Sequence, residues 1–333
     1  LPKLNIFPLL VVFLSLLIAG AGALGDSDCR QENNECVTIG DWDFSIGIGI
    51  GGRTNPIINS DDIPIVLLPT VSYYGKRFFW DTDTLGYTLV ESKQHMINII
   101  GTISYDQAFF NEWGVGNFVI GRGSGGSAGR VESNFQIGGE DLSSSSTILS
   151  DDVIDLEPTP PPPEMGTGET IRGPLVDNTE AAIDLDRLHS RDLAGLMGFE
   201  YALNIDKFGF AVQALRDVTS VHDGDQVSVA LLRHFNVDKH IVGITLGAEW
   251  RDSKTLDYFY GVREDEVDDP LHAYELSSDT SYYVKIDWRY RLSEKWEFRS
   301  VLHHRVLGDE IKNSPVVSDD TTTAVFFGGV YHF

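Results

Sequence analysis

Along most of this chain apolar side chains alternate with small or polar ones, the period of two that suits a strand whose faces meet different surroundings. The stretch from Trp42 is the clearest. Trp42, Phe44, Ile46, Ile48 and Ile50 fall on one side, and Asp43, Ser45, Gly47, Gly49 and Gly51 on the other. A soluble core has no use for a strand so apolar on one face and so empty on the other. The stretch 321–333, TTTAVFFGGVYHF, behaves alike: Val325, Phe327, Gly329, Tyr331 and Phe333 form one face, and Ala324, Phe326, Gly328, Val330 and His332 the other. Between these two, alternation predicts strands at Ile65–Tyr73, Lys76–Thr82, Thr84–Glu91 and Gln94–Tyr105. It resumes from Asp192 through Leu203, then at Phe208–Ala214, Gln226–Asn236, Lys239–Arg251, Ser281–Leu292 and Lys295–Val306.

That makes twelve strands, an even number, as single-chain bacterial barrels require. The connections sort by parity. Gly75-Lys76, Ser92-Lys93, Asn204–Asp206, Val237-Asp238 and Ser293-Glu294 are tight, whereas Arg53–Ile63, Asp106–Arg191, Val218–Asp225, Asp252–Thr280 and Leu307–Thr321 are long, with Asp83 the exception. Short turns at one end and long loops at the other are the asymmetry between periplasm and exterior. The pattern therefore predicts an all-β fold: a transmembrane antiparallel up-and-down β-barrel of about 12 strands over residues 42–333, with long extracellular loops. Asp106–Arg191, with its Gly-Ser run, serine run and Pro158–Pro163, reads as one long Gly/Ser/Pro-rich extracellular insert.

Ahead of the first strand, residues 1–23 carry Lys3, a short apolar core and Ala21-Gly22-Ala23, the features of a cleaved signal peptide. Residues 24–41 then form a polar periplasmic segment in which Cys29 and Cys36 are expected to close a small disulfide loop. The formal charge is −25, from 25 basic and 50 acidic residues; loss of Lys3 with the leader makes it about −26. Such a chain does not suit nucleic acid.

Charge changes the picture inside the barrel. On the assigned phase Glu249, Arg251, Lys285, Asp287, Arg289, Arg291, Glu297, Arg299 and Arg305 point into the lumen. They either select ions or pair and plug it, and near twelve strands a narrow or plugged lumen is expected. Trp42, Tyr73, Tyr105, Trp250 and Trp296 are expected in the interfacial girdles against outer-membrane lipid. His222, Asp223 and Asp225 share one exterior loop and read as a solvated turn around Gly224, ahead of a catalytic base with its carboxylates. His303 and His304 alternate across their strand and do not chelate together. No nucleophile motif and no cofactor or metal motif is present, so an enzyme is not expected. The closing Phe327, Tyr331 and Phe333 resemble the C-terminal signal read by the barrel assembly machinery.

Several segments together resemble the MipA/OmpV family, the MltA-interacting scaffold proteins of the Gram-negative outer membrane. They are Asp61-Asp62 through Pro69–Tyr74 with Arg77-Phe78-Phe79, Asp217-Val218 with His222 and Gly224, and Asp257–Val262 (DYFYGV). Ala273-Tyr274, Ser314–Val317 and Tyr331-His332-Phe333 follow in the same order. The insert departs from the family's pattern. The resemblance implies a non-enzymatic outer-membrane scaffold that links a murein-cleaving lytic transglycosylase to a murein-synthesising penicillin-binding protein. A porin-like channel and a surface adhesin are the alternatives.

Overall fold

A computed structural model describes residues 40–92, 94–110, 183, 187–205 and 208–333. The strands are β1 (Trp42–Arg53), β2 (Ile63–Pro64), β3 (Leu67–Tyr74), β4 (Phe78–Asp81), β5 (Thr84–Glu91) and β6 (His95–Ile103). After the insert come β7 (Gly195–Ile205), β8 (Phe208–Asp217), β9 (Asp225–Val237), β10 (His240–Arg251), β11 (Asp279–Arg291), β12 (Trp296–Val306) and β13 (Thr321–His332). Each pairs antiparallel with its neighbour, and β13 returns to pair with β1 from Ser45↔His332 to Arg53↔Ala324, which closes the barrel. β2 is a two-residue stub beside the end of β1. The wall is thus twelve strands, and closure leaves no sheet edge for lipid to strip of hydrogen bonds.

The two faces part as the alternation requires. Ile48, Ile50, Met197, Leu246, Val325 and Phe327 are exposed on the outside, while Ser45, Glu200, Gln213, Thr245, Asp287 and Phe326 are buried within. The empty face of β1 has a steric cause at the seam. Gly49 and Gly328 are opposite each other in register, and the ring tip of Phe326 lies 2.9 Å and 2.7 Å from where their Cβ atoms would stand. The ring occupies the space that two side chains would need, so the seam closes backbone to backbone.

The turns at one end are short and the connections at the other long. One wall is low: β4 has four residues, a rise of roughly 13 Å against an apolar band about 25 Å tall. It pairs only with Ser72–Tyr74 of β3, and Leu67–Val71 have no strand partner on that side among the described residues. Pro69, which lacks an N–H to leave unpaired, sits in that stretch.

The long connections are not open loops, as the sequence suggested for 252–280 and 307–321. They contain α1 (Ser253–Tyr260) and α2 (Asp309–Lys312). Nor does the insert behave as a single unpacked segment, because both of its described ends are built into the barrel top. Asp106–Phe109 forms a 3-10 turn with Phe109 buried, and Arg191 is buried at the return. The glycine, serine and proline runs of the insert lie outside the described residues.

Candidate functional site

The long-loop end is closed by a cap. In α1, Asp252 accepts the N–H of Thr255 at 2.9 Å as the N-cap, and Leu256, Phe259 and Tyr260 recur at the i, i+3, i+4 spacing of one helix face. That face is fully buried. It packs with Ile57 and Ile63 from the first loop, Phe109, Leu276, and Leu307 and Ile311 beside α2. Polar ties hold the cap together: Asn55 Nδ2 donates to the carbonyl of Phe109 at 2.9 Å, and Ser314 Oγ to that of Tyr260 at 2.6 Å. Arg191 donates to Glu266 at 3.0 Å and to the Gly261 carbonyl at 3.0 Å, and Glu266 also accepts the backbone N–H groups of His189 and Arg263. Burial alone would raise the carboxyl of Glu266, but these donors hold it below its ordinary range.

Beneath the apolar layer lies a buried ion network. Tyr260 Oη and Arg251 Nη1 each donate to Asp106 at 2.9 Å; Arg251 Nε donates to Glu249 at 2.6 Å, and Arg305 Nη2 to the same oxygen at 2.9 Å. Burial works against the Asp106 carboxylate. Arg251, Arg305 and the hydrogen bonds from Tyr260 and Arg251 outweigh it and keep the group ionised below the usual carboxylate range. The same surroundings push the Tyr260 hydroxyl far up, through burial first and then the Asp106 charge, so it remains a donor. Asp106, Tyr260, Arg191 and Glu266 are absent from the residues singled out by sequence. The signal for Tyr260 was present in Asp252, Leu256, Phe259 and Tyr260 as a capped helical stripe.

The structure sorts the sequence-selected charges into groups. Glu249, Arg251 and Arg305 join the network under the cap. Asp287 pairs with Arg299, at 3.1 Å from Nε, and with Arg289 at 3.6 Å, while Lys285 and Arg291 lie along the same face of β11. Glu297 turns to His332 at 3.7 Å, which also approaches Asp43 at 3.9 Å. His222 is buried in its loop. Its N–H and that of Asp223 donate to Asp217, its Nδ1 accepts from the N–H of Gly224, and its ring lies on Tyr258 and Phe259. The loop is a packed support for α1 and not a solvated turn.

Among the aromatics, Trp42 packs on the tilted ring of Tyr73 and edge-on against Trp80, and Trp296 meets Tyr331, which contacts Phe333. Phe327 packs on Phe298. Tyr105 lies past the end of β6, where its hydroxyl donates to Asp83. Cys29 and Cys36 lie outside the described residues. Among the described residues no three His, Cys, Asp or Glu groups converge as a metal site.

The sequence model of the family described as "MltA-interacting protein MipA" matches residues 46–333. The chain belongs to the MipA family. Its MipA-family relatives include the MltA-interacting protein of Escherichia coli, 24% identical over 148 residues, which is 44% of this chain and 59% of that protein. The outer membrane protein Omp26La of Vibrio anguillarum is 28% identical over 87 residues, 26% of this chain and 34% of that one. The chain thus aligns with about a third to three fifths of these relatives' length. Solved structures similar to it include an outer membrane channel from Pseudomonas putida F1, 8% identical with a TM-score of 0.34, covering 92% of this chain and all of that one. Another is a loop-deletion form of OmpT from Vibrio cholerae, 8% identical with a TM-score of 0.32, covering 89% of this chain and all of that one. The protein is an outer-membrane barrel of the MipA family. Several of its family-like segments meet at the cap: Asp257–Tyr260 form the second half of α1, Ser314 ties to Tyr260, Val317 bridges to Ile57, and His222 packs against Tyr258.

Proposed function

We propose that this protein is a non-enzymatic scaffold of the outer membrane that holds a murein-cleaving lytic transglycosylase, and through it a penicillin-binding protein, at the periplasmic face of the barrel. The observation that carries this reading is the cap. A barrel meant for solute flow has no reason to bury Leu256, Phe259 and Tyr260 across its exterior mouth over a paired ion network. The name of the Escherichia coli relative supplies the kind of partner. The contacts would fall on the short turns, the parts of the barrel that face the cell wall. Photo-crosslinkers placed at Lys76 and Glu294 in living cells should capture a murein-cleaving enzyme, and crosslinkers at Asp269 or Ser318 on the long-loop side should not. The refolded protein should be electrically silent. Steady ion-selective openings with no murein enzyme on either set of crosslinkers would replace scaffolding with a narrow channel.

A further inference from the structure

The inner wall of β11 and β12 carries more positive charge than its structure uses. Lys285, Arg289 and Arg291 share one face of β11, and Arg289 lies directly opposite Arg299 of β12. Like charges facing each other across a ladder are destabilising. The single buried carboxylate between them, Asp287, is shared: Arg299 holds it, and Arg289 approaches at 3.6 Å with an Nε that is buried and has no hydrogen-bond partner. Glu297, the remaining acid, is drawn to His332. Lys285 and Arg291 make no ion pair among the described residues. Among the described residues four cations therefore face two carboxylates, in a chain whose formal charge is −25.

Exposure along this wall falls from the short-turn end toward the cap. The Arg289 and Arg299 side chains are 23% and 24% exposed, while Arg251, Glu249 and Arg305 under the cap are 5%, 0% and 9% exposed. Among the described residues the wall is most exposed toward the short turns and most buried under the cap. From these observations we infer that it is an oxyanion site, reached from the periplasm, for a flexible peptide bearing several carboxylates. Carboxylate is the group the wall already binds, through Asp287 in the fork of Arg299, and planar guanidinium forks match it better than a point charge does. Arg289 and Arg291, at alternate positions of β11, stand about 7 Å apart, a spacing that carboxylates at alternate positions of an extended peptide meet. This inference stands apart from the scaffold reading.

The test is calorimetric titration of the refolded full chain, in zwitterionic detergent, with triglutamate, triglutamine and inorganic phosphate. Triglutamate should bind saturably and more weakly as salt rises, and triglutamine should not bind. Arg291→Gln, which breaks no ion pair, should weaken triglutamate several-fold. Arg289→Gln with Arg291→Gln should weaken it about tenfold or more, since hydrogen bonds to charged groups are worth that much. Arg216→Gln, an exposed partner of Asp225 outside this wall, should change nothing. Heat-modifiable migration certifies that each variant has folded. Absence of saturable binding, equal binding of triglutamine, unchanged affinity in Arg291→Gln, or phosphate binding as tightly as triglutamate would each overturn the assignment.

Discussion

At Gly328 a single methyl group would decide whether the barrel closes. Its Cβ would stand 2.5 Å from the carbonyl oxygen of Ile48 and 2.7 Å from the Phe326 ring. Backbone cannot give way there without lifting β13 from β1. Gly328→Ala should lower the folded fraction on an unboiled gel, and Gly328→Ala with Phe326→Ala should recover only part of it, because the carbonyl clash stays. The pair Arg191–Glu266 is a second residue-scale test, with both side chains shut away from water. Glu266→Gln leaves a buried guanidinium uncompensated, a loss of about 3–5 kcal/mol in such sites. The loss is local to the cap and should appear as faster protease cleavage within 252–278 while the barrel still migrates as folded.

At the scale of elements, strands and helix differ in how plainly the sequence announces them. A lipid-facing strand has to keep its phase against two solvents, so Ile46-Gly47-Ile48-Gly49 or Lys285-Ile286-Asp287-Trp288 could be assigned inside and out from alternation alone. Acidic residues surround α1, and it is eight residues long; its stripe of Leu256, Phe259 and Tyr260 is legible only once Asp252 is seen as a cap. Asp106 and Arg191 were hidden for another reason. They fasten the two ends of a segment whose composition speaks of an unpacked loop, and their partners are 145 and 75 residues away. The family-like segments did carry the cap in advance, as unexplained matches whose common purpose needed three dimensions.

The cap should loosen in acid, and the sign follows from His222 and Asp106. His222 is held neutral, first by burial and against the pull of Asp217 and Asp252, so its affinity for protons lies below the ordinary 6.5. The unfolded loop takes up a proton as pH falls below about 6.5 while the folded loop does not, and stability drops across that interval. Asp106 adds a loss at lower pH, as its depressed carboxyl is finally protonated. Hydrogen exchange in 253–260, corrected for the intrinsic rate, should accelerate between about pH 7.5 and 5.5. In His222→Gln the acceleration should largely disappear.

For the whole molecule, the cap predicts a difference in kind. Wild-type protein in a planar bilayer should pass no steady current, and replacing residues 253–260 by a short Gly-Ser linker should yield ohmic openings through the lumen that remains. An equally silent deletion would mean that the seal lies elsewhere in the barrel.

The insert interrupts the chain between β6 and β7, and the described strands close the sheet on either side of it. On one side stand β1–β6, on the other β7–β13, and the two parts meet along ladders from His95↔Leu203 to Ile103↔Gly195 and from Ser45↔His332 to Arg53↔Ala324. A cut made between 111 and 182 severs none of the described strands. The barrel is in this sense two half-pipes already, kept in register by two backbone zippers and bolted across the top by Arg251 and Tyr260 on Asp106. Two separately synthesised pieces, exported together, should meet in the membrane and travel as one band until boiled.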